Sequence, residues 1–342
     1  MLTPRRIEIF KAIVDEYIQT AEPVGSKALQ QKYRLPYSSA TIRNDMMALE
    51  EMGYLEKVHT SSGRIPSTLG YKFYCENLLQ NTGLDRKMQV AIREAFDTTN
   101  MNIEEAVQVS CRVLSDMTNM TAGAIGPDAK NQHLAYIKLF PIDERNAVCV
   151  FITDTGHSET KTFHFDEDVL IQDIESCTDL LNTHLKGAAI ADLPERMEEL
   201  RPQFSRLVKQ HETLFAAFVK AFVKFASETV YFSGRERMLY QPEFEDISKL
   251  KKLMEMMKDA QGWRSIDSGE RAVALRTNKK SELTWVDDVA IVRTKFRIND
   301  MDSGQLMVVG PSRMDYDKVI SMLEYAVSII ENVYSDNGGR HE

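Results

Sequence analysis

SSATIRNDMMALEEMGYL, residues 38–55, runs directly into EKVHTSSGRIPS, residues 56–67. Ser38 can accept hydrogen bonds from the free backbone amides of a first helical turn. Apolar residues then recur at helical spacing, at Ile42, Met46 and Leu49. This pattern predicts a helix that buries one stripe and stops at Gly53. The residues after Gly53 have the pattern of a strand, a tight turn and a second strand. A helix followed by a hairpin is therefore the first expected unit.

The other faces of this helix carry side chains that can read DNA bases, above all Arg43 and Asn44. A guanidinium can donate two parallel hydrogen bonds to the major-groove edge of guanine, and a carboxamide can both donate to and accept from adenine. An Arg-Asn pair on a helix is more often a solvated surface. The DNA-reading interpretation therefore depends on what surrounds the helix.

Two further helices are expected upstream. TPRRIEIFKAIVDEYIQT, residues 3–20, offers Thr3 as an N-cap and Pro4 at the first helical position. A shorter helix follows EPVGS with Ser26 as its cap, and Pro36 separates it from the third helix. Three helices followed by a hairpin predict a winged helix-turn-helix, in which the third helix enters the major groove.

The DNA contacts expected from this unit come from the third helix and from the hairpin. Arg43 and Asn44 are expected at base edges, with the hydroxyls and cations around them on the backbone or in the adjacent groove. The hairpin alone would also suit a polar surface turn. The predicted DNA-binding residues are Ser38, Ser39, Thr41, Arg43, Asn44, Lys57, His59, Thr60, Ser61, Ser62 and Arg64.

Charge is unevenly distributed along the chain of 342 residues, whose formal net charge is −9. Residues 1–75 hold ten Lys or Arg against eight Asp or Glu, a net of +2, which leaves −11 for residues 76–342. Non-specific attraction to phosphate would therefore come only from the N-terminal part, and it would be weak. We expect two such units to act together, as a homodimer on a two-part site of double-stranded DNA.

Several functional classes have no support in the sequence. The four cysteines lie far apart without a CxxC pair, so neither a metal site nor a cofactor is expected. No GxxxxGK, GxGxxG, GxSxG or HExxH motif is present, so no enzyme is expected. The chain has no secretory signal and no apolar run of membrane-spanning length, which indicates a cytoplasmic protein without membrane contact.

Beyond residue 75 the apolar pattern predicts an α+β multidomain protein. Strand patterns are interrupted by a helical block and then resume, which indicates a discontinuous sheet domain with an insertion. An apolar stripe in the insertion, Leu214, Phe218, Ala221, Phe222 and Phe225, suits either its core or an interface. The expected segments are the DNA-binding domain 1–75, a helical linker 76–118, a sheet domain 119–165 plus 258–335, an insertion 166–257 and a disordered tail 336–342.

Several motifs resemble the HrcA family of bacterial heat-inducible transcription repressors. They are EPVGSKALQQKY from residue 22, SSATIRNDM from 38, HTSSGRIPSTLGYKFY from 59 and GQLMVVGPSRMDYDKVI from 304. Matches in this order extend the resemblance over nearly the whole chain, although 166–257 matches weakly. Within 230–244, a second candidate interface, the run FSGRERM departs from the family pattern.

The resemblance implies a GAF-like α/β domain split by an inserted, mainly helical dimerisation domain. It also implies a dimeric repressor of chaperone operons that binds an inverted-repeat operator, the element called CIRCE, and that the GroE chaperonin keeps active. Two other classes stay open. One is a ligand-responsive winged-helix regulator of another operon, acting through its GAF-like domain, and the other is an interaction protein that uses the winged fold for protein contacts.

Overall fold

The computed structural model of this chain shows an α+β protein. Its contacts divide the chain into two compact units, Met1–Ala124 with Val230–Phe296 and Gln305–Glu342, and Ile125–Thr229 with Arg297–Gly304. The described residues are 2–58, 63–80, 83–96, 103–126, 132–143, 146–154, 158–164, 171–207, 211–226, 230–244, 247–257, 263, 272–277, 280–297 and 303–335.

Helices and strands follow one another along the whole chain. In chain order they are α1 Pro4–Thr20, α2 Ser26–Lys32, α3 Ser39–Glu51, β1 Leu55–Lys57, β2 Arg64–Pro66, α4 Thr68–Asn77, α5 Arg86–Ala95, α6 Ile103–Thr118, β3 Thr121–Ile125, β4 Leu134–Pro141, β5 Asn146–Thr153, β6 Ser158–His164, α7 Ile171–Leu185, α8 Leu193–Leu207, α9 His211–Ala226, β7 Val230–Ser233, α10 Ile247–Met256, β8 Val273–Arg276, β9 Ser281–Val286, β10 Val289–Arg297, β11 Ser303–Pro311 and α12 Tyr316–Ser335. Short 3-10 segments span Ile190–Asp192, Arg235–Tyr240 and Pro242–Phe244.

The first unit begins with the three predicted helices and the hairpin. Thr3 caps α1 by accepting a hydrogen bond from the amide of Arg6, and Ser38 caps α3 through the amide of Thr41. Both caps confirm the predictions. The cap predicted at Ser26 was wrong, because Gly25 holds the extended N-cap conformation and Ser26 is already the first residue of α2. Apolar side chains from all three helices are fully or almost fully buried, among them Ile9, Phe10, Ile13, Leu29, Ile42, Met46 and Leu49.

The rest of the first unit contains a six-stranded sheet, in the order β7-β3-β11-β10-β9-β8, together with helices. The pairs β8/β9 and β9/β10 are antiparallel. Helices α6 and α12 pack against each other, and Tyr316 at the start of α12 accepts a hydrogen bond from Nε1 of Trp285 at 2.7 Å. α4 joins the hairpin to this layer. A Cβ at Gly70 would lie 2.2 Å from the carbonyl oxygen of Tyr54, so only glycine permits α4 to pack this closely against the hairpin.

The second unit has its own sheet and its own core. Strands β4, β5 and β6 form an antiparallel sheet in that order. Helix α7 lies along β4, where the side chain of Asn182 bonds both the amide and the carbonyl of Ile137 at 2.8 Å. Helices α8 and α9 pack on each other and close the core. Every second residue of β5 is buried, as expected for a sheet with one covered face.

The inserted segment begins earlier than predicted. The predicted sheet domain contained residues 119–165, but only β3 from that range joins the six-stranded sheet. Strands β4 to β6 belong to the second unit with α7 to α9, because their buried faces share one apolar core with these helices. The contacts keep 1–124 in one unit, so the separate domains 1–75 and 76–118 stay predictions. Residues 336–342 lie outside the described residues.

The apolar stripe on α9 is core. Leu214, Phe218, Ala221 and Phe222 are at most 2% exposed. The ring of Phe218 lies 5.2 Å from that of Phe163, and the ring of Phe222 lies 5.3 Å from that of Phe151. The side chain of Phe225 lies outside the described part of the chain. An interface on this stripe would require the unit to open, so the core interpretation is the correct one for the four described residues.

Two further properties bear on function. None of the described helices combines the length and the apolar character needed to cross a membrane. All four cysteines are buried free thiols. Burial raises the pKa of both Cys149 and Cys177 to about 12, so these thiols stay protonated and unreactive at neutral pH.

Candidate nucleic-acid interface

One face of α3 is presented to solvent. Its exposed residues follow helical spacing: Ala40, Arg43, Asn44, Met47 and Glu51. The opposite stripe is buried and fixes the rotation of the helix. Among the described residues, neither Arg43 nor Asn44 has a hydrogen-bond or ion-pair partner. A guanidinium and a carboxamide thus stand side by side on the first two turns, free to bond an external group.

The first turn of α3 is held by hydroxyl groups. Ser38 Oγ accepts from the amide of Thr41 at 3.1 Å, and the two hydroxyls lie 2.8 Å apart. Ser39 Oγ lies 3.0 Å from Ser26 Oγ at the start of α2. These contacts link α2 to α3. The predicted site residues Ser38, Ser39 and Thr41 therefore also set the position of the helix that carries Arg43.

A buried carboxylate, which the sequence analysis missed, anchors α3 to α1. Asp45 is 3% exposed and accepts hydrogen bonds from Nε of Arg5 at 2.7 Å and from Nε of Arg6 at 3.0 Å. Burial by itself would raise the pKa of Asp45, but the hydrogen bonds and charges of Arg5 and Arg6 outweigh it and hold this pKa below its usual value. The available signal was an aspartate inside an apolar helical stripe, which requires a cationic partner.

The hairpin places its two predicted cations differently. Lys57 on β1 is exposed, and its partner in register on β2 is Arg64. The Arg64 side chain is only 12% exposed and donates from Nε to Glu50 at 2.7 Å. Its backbone amide and carbonyl also bond Val24 at 3.0 and 2.9 Å. Arg64 therefore fixes the hairpin against α3 and the loop before α2, whereas Lys57 stays available.

Four predicted site residues, His59, Thr60, Ser61 and Ser62, lie outside the described residues. The described residue after them, Gly63, lies close to the loop between α1 and α2. A Cβ there would approach the backbone of Pro23 to 2.8 Å. Glycine at this position permits the hairpin to lie tightly against the helices.

Ion pairing and exposure separate nine of the ten cations of residues 1–75 into two groups, and the tenth, Lys72, is half-buried. Five have carboxylate partners: Arg5, Arg6, Lys11, Lys32 and Arg64. Four others are exposed and have no carboxylate partner among the described residues: Lys27, Arg34, Arg43 and Lys57. Lys27, in the first turn of α2, and Arg34, just after α2, were not predicted as site residues. Unpaired exposed cations are the groups that can neutralise phosphate.

Other site chemistry is weak in the part of the chain that the structure describes. It contains no group of three or more His, Cys, Asp or Glu side chains that could hold a metal ion. His133 pairs with Asp154 at 3.0 Å on the surface of the second unit. This exposed contact by itself is no evidence of a catalytic group.

Comparisons with known proteins cover almost the whole chain. A family profile described as "HrcA protein C terminal domain" matches residues 104–320. Proteins named heat-inducible transcription repressor HrcA are 35% identical in Acholeplasma laidlawii and 34% identical in Bacillus pumilus, each covering 98% of this chain and 99% of the relative.

A solved structure described as a hypothetical protein at 2.2 Å resolution shares the fold, with a TM-score of 0.66 and 21% identity over 98% of this chain and 99% of that chain. At this identity the likeness is evidence of a shared fold and of nothing further. Family membership rests on the profile match and on the identity to the named relatives. By these two criteria the chain belongs to the HrcA family.

Proposed function

We propose that this protein is a transcription repressor that binds double-stranded DNA as a homodimer. Residues 1–75 act as a winged helix-turn-helix, with α3 in the major groove and the hairpin against the backbone. The target is an inverted-repeat operator of the CIRCE type upstream of chaperone operons. The supporting observation is the exposed, unpaired Arg43-Asn44 pair on α3, in a chain that belongs to the HrcA family.

Arg43 and Asn44 are assigned to base edges, because their side chains are free and lie on the exposed face of α3. Lys57 is assigned to phosphate, together with the hairpin residues His59, Thr60, Ser61 and Ser62. Ser38, Ser39 and Thr41 lie at the helix start and are assigned to the nearby backbone. Arg64 is a positioning residue in this proposal, since its guanidinium is engaged by Glu50.

Dimerisation is assigned to the second unit. The outward face of its sheet is mostly apolar along β4 and β5, with Lys138 as the charged exception between Tyr136 and Phe140. The solvent-facing side of a sheet is usually polar. On β4, Tyr136 is 43% exposed and Phe140 is 50% exposed, and Ile142, just beyond the strand, is 61% exposed. Val148, Val150 and Ile152 of β5 are half-buried on the same face. An apolar patch of this kind, here with one lysine inside it, is typical of a surface that another protein covers.

The six-stranded sheet with α5, α6 and α12 is assigned as the GAF-like domain that the second unit interrupts. The protein acts by binding rather than by catalysis, in the cytoplasm. We further assign regulation to the GroE chaperonin, which maintains the active repressor until unfolded clients occupy it. Family membership supports this circuit, and the exposed apolar residues of the second unit provide a surface of the type that chaperonins bind.

The test is an operator titration with Arg43→Ala. Loss of a bidentate base contact costs about 1–3 kcal/mol per half-site and relaxes base preference at one position. Glu51→Gln is the matched control, because Glu51 lies on the same exposed face at the far end of α3. Operator affinity of Arg43→Ala equal to that of the parent protein would exclude α3 as the reading helix.

A ligand-responsive regulator of another operon is the second candidate. It is favoured by a cleft in the first unit that lies between the hairpin and the six-stranded sheet. Melting temperatures measured with purified GroE and with small molecules separate the two candidates, because a partner of the native state raises the melting temperature.

A further inference from the structure

The first unit contains a cleft of about 460 Å³. One wall comes from α1, the hairpin and the start of α4. The opposite wall comes from the 3-10 segment Pro242–Phe244, from the turn between β9 and β10 and from the loop after β11. Sites for small molecules are usually clefts of roughly 300–1,000 Å³. The cleft is therefore large enough for a small organic molecule and much larger than a metal ion needs.

The lining is strongly acidic. Glu56 and Glu243 contribute carboxylates from opposite walls, and Asp287 and Asp288 contribute two more from the turn between β9 and β10. Among the described residues that line the cleft, Arg313 is the only cation, and it is ion-paired with Glu243. The formal charge of the lining is thus −3. A concave acidic surface concentrates cations from solution.

A second observation is independent of this charge. Tyr71, at 2% exposure, lines the cleft, and its hydroxyl has no hydrogen-bond partner among the described residues. The hydroxyl of Ser312 on the opposite wall is also buried and unpartnered. Buried polar groups are nearly always hydrogen-bonded, because an unmade bond leaves the cost of desolvation uncompensated. Both residues line this one cleft, so it can offer two hydroxyl groups to a polar ligand.

Tyr71 lines the same cleft as the acidic residues. Its ring lies 5.8 Å from that of Tyr316, which fixes the side chain. Burial, followed by the nearby Tyr17 and Glu243, raises the pKa of Tyr71 well above its usual value. The hydroxyl therefore stays neutral, and its oxygen can accept a hydrogen bond from an ammonium group. Tyr17, another lining residue, adds a second aromatic ring.

We propose that this cleft binds a small aliphatic diamine, with its ammonium groups against the carboxylates of Glu56 and Asp288 and an N–H donated to Tyr71. A flexible dication would pair with the acidic lining and donate hydrogen bonds to the unpartnered hydroxyls. Its methylene chain would pack against Ile65 and the tyrosine rings. Such a ligand contacts both the hairpin and the sheet, so it links the DNA-binding segment to the rest of the first unit. The inference does not depend on operator binding.

The experiment is calorimetric titration of the full-length, DNA-free protein with putrescine, with neutral 1,4-butanediol as the control of equal chain length. We expect saturable binding of one putrescine per chain and no binding of the diol. Tyr71→Phe should weaken putrescine binding about tenfold, since it removes a hydrogen bond to a charged group. Glu56→Gln should weaken it by a smaller factor. Glu76→Gln, an exposed charge on α4 outside the cleft, should leave it unchanged.

Melting of the ligand-free variants gives a second criterion. Because the Tyr71 hydroxyl has no partner, Tyr71→Phe should leave the melting temperature unchanged or raise it, and Ser312→Ala should behave in the same way. A fall of several degrees in both variants would mean that these hydroxyls are already satisfied and would overturn the proposal. Non-saturating binding that is equal in parent and Tyr71→Phe would also overturn it, as general attraction to an acidic protein. No DNA is present, so these results are independent of the Arg43→Ala test.

Discussion

The exposed face of α3 and the outer face of the β4–β6 sheet are both uncovered surfaces, but their chemistry is opposite. The α3 face presents Arg43 and Asn44 without partners. The sheet face presents Phe140 and its apolar neighbours, with half of the Phe140 side chain exposed. The first surface suits a hydrated polyanion that is read by hydrogen bonds. The second suits a protein surface that removes it from water.

This contrast explains how α3 could read DNA, as proposed, in spite of its weakly charged surroundings. Residues 1–75 carry a net charge of only +2, and five of their cations are already ion-paired. A single α3 therefore has few groups left for phosphate. Two copies joined by an apolar face elsewhere in the chain would engage both half-sites, and the second contact would form at a high effective concentration.

The largest expected effect comes from Phe140→Glu on the sheet face. A buried charge in the interface should convert the dimer to monomer, and operator affinity should fall by about 10²–10⁴-fold as bivalent binding is lost. Sedimentation equilibrium and an operator titration measure both quantities. Gln172→Glu, which adds the same charge to the exposed side of α7, should change neither. A Phe140→Glu protein that stays dimeric would place the dimer interface elsewhere.

The next effect concerns the anchoring of α3. Asp45→Asn removes the carboxylate that accepts from Arg5 and Arg6. We expect the free energy of local unfolding of helices α1, α2 and α3 to fall by about 2 kcal/mol. This value lies toward the lower end of the range for hydrogen bonds to charged groups, because both arginines are partly exposed. Amide hydrogen exchange of these helices measures it locally. Glu51 is an exposed carboxylate on the same helix, and Glu51→Gln should change the free energy of local unfolding by less than about 0.5 kcal/mol.

The same variant makes a prediction about pH. The pKa of Asp45 is lower in the folded protein than in the unfolded chain, where it is near 3.9. Its contribution to stability is therefore complete above about pH 5 and is lost as the pH falls below the unfolded value toward the folded one. The difference between parent and Asp45→Asn should be constant from pH 5 to pH 8 and shrink below about pH 4. A difference that grows in acid would contradict this assignment.

Local patterns were sufficient to predict helix α3. The caps at Thr3 and Ser38 and the apolar spacing of α3 depend on residues within a few positions of one another. The role of Asp45 was not predictable in this way, because its partners lie about forty residues away. Arg64 was placed on the correct strand, but its pairing with Glu50 depends on how the hairpin folds back onto α3.

The domain boundary failed for a related reason. β3 and β4 have similar strand patterns and are close in sequence, yet β3 joins the six-stranded sheet and β4 joins the sheet of the second unit. Strand patterns report a half-buried surface and not the identity of the partner strand. Only contacts between distant residues separate the two sheets, so the start of the inserted unit could not be read from periodicity.

The smallest expected effect comes from two hairpin cations that are partners in register, Lys57 and Arg64. Lys57→Ala should weaken specific and non-specific DNA alike and lower the salt slope of binding by about 1, the value for one phosphate contact, without changing the melting temperature. Arg64→Ala should instead lower the melting temperature, because it removes the pair with Glu50. Titrations at several salt concentrations and thermal melts separate the two roles. If Lys57→Ala had the same salt slope as the parent and Arg64→Ala had a reduced one, the two roles would be exchanged. Arg64 would then be the residue that contacts phosphate.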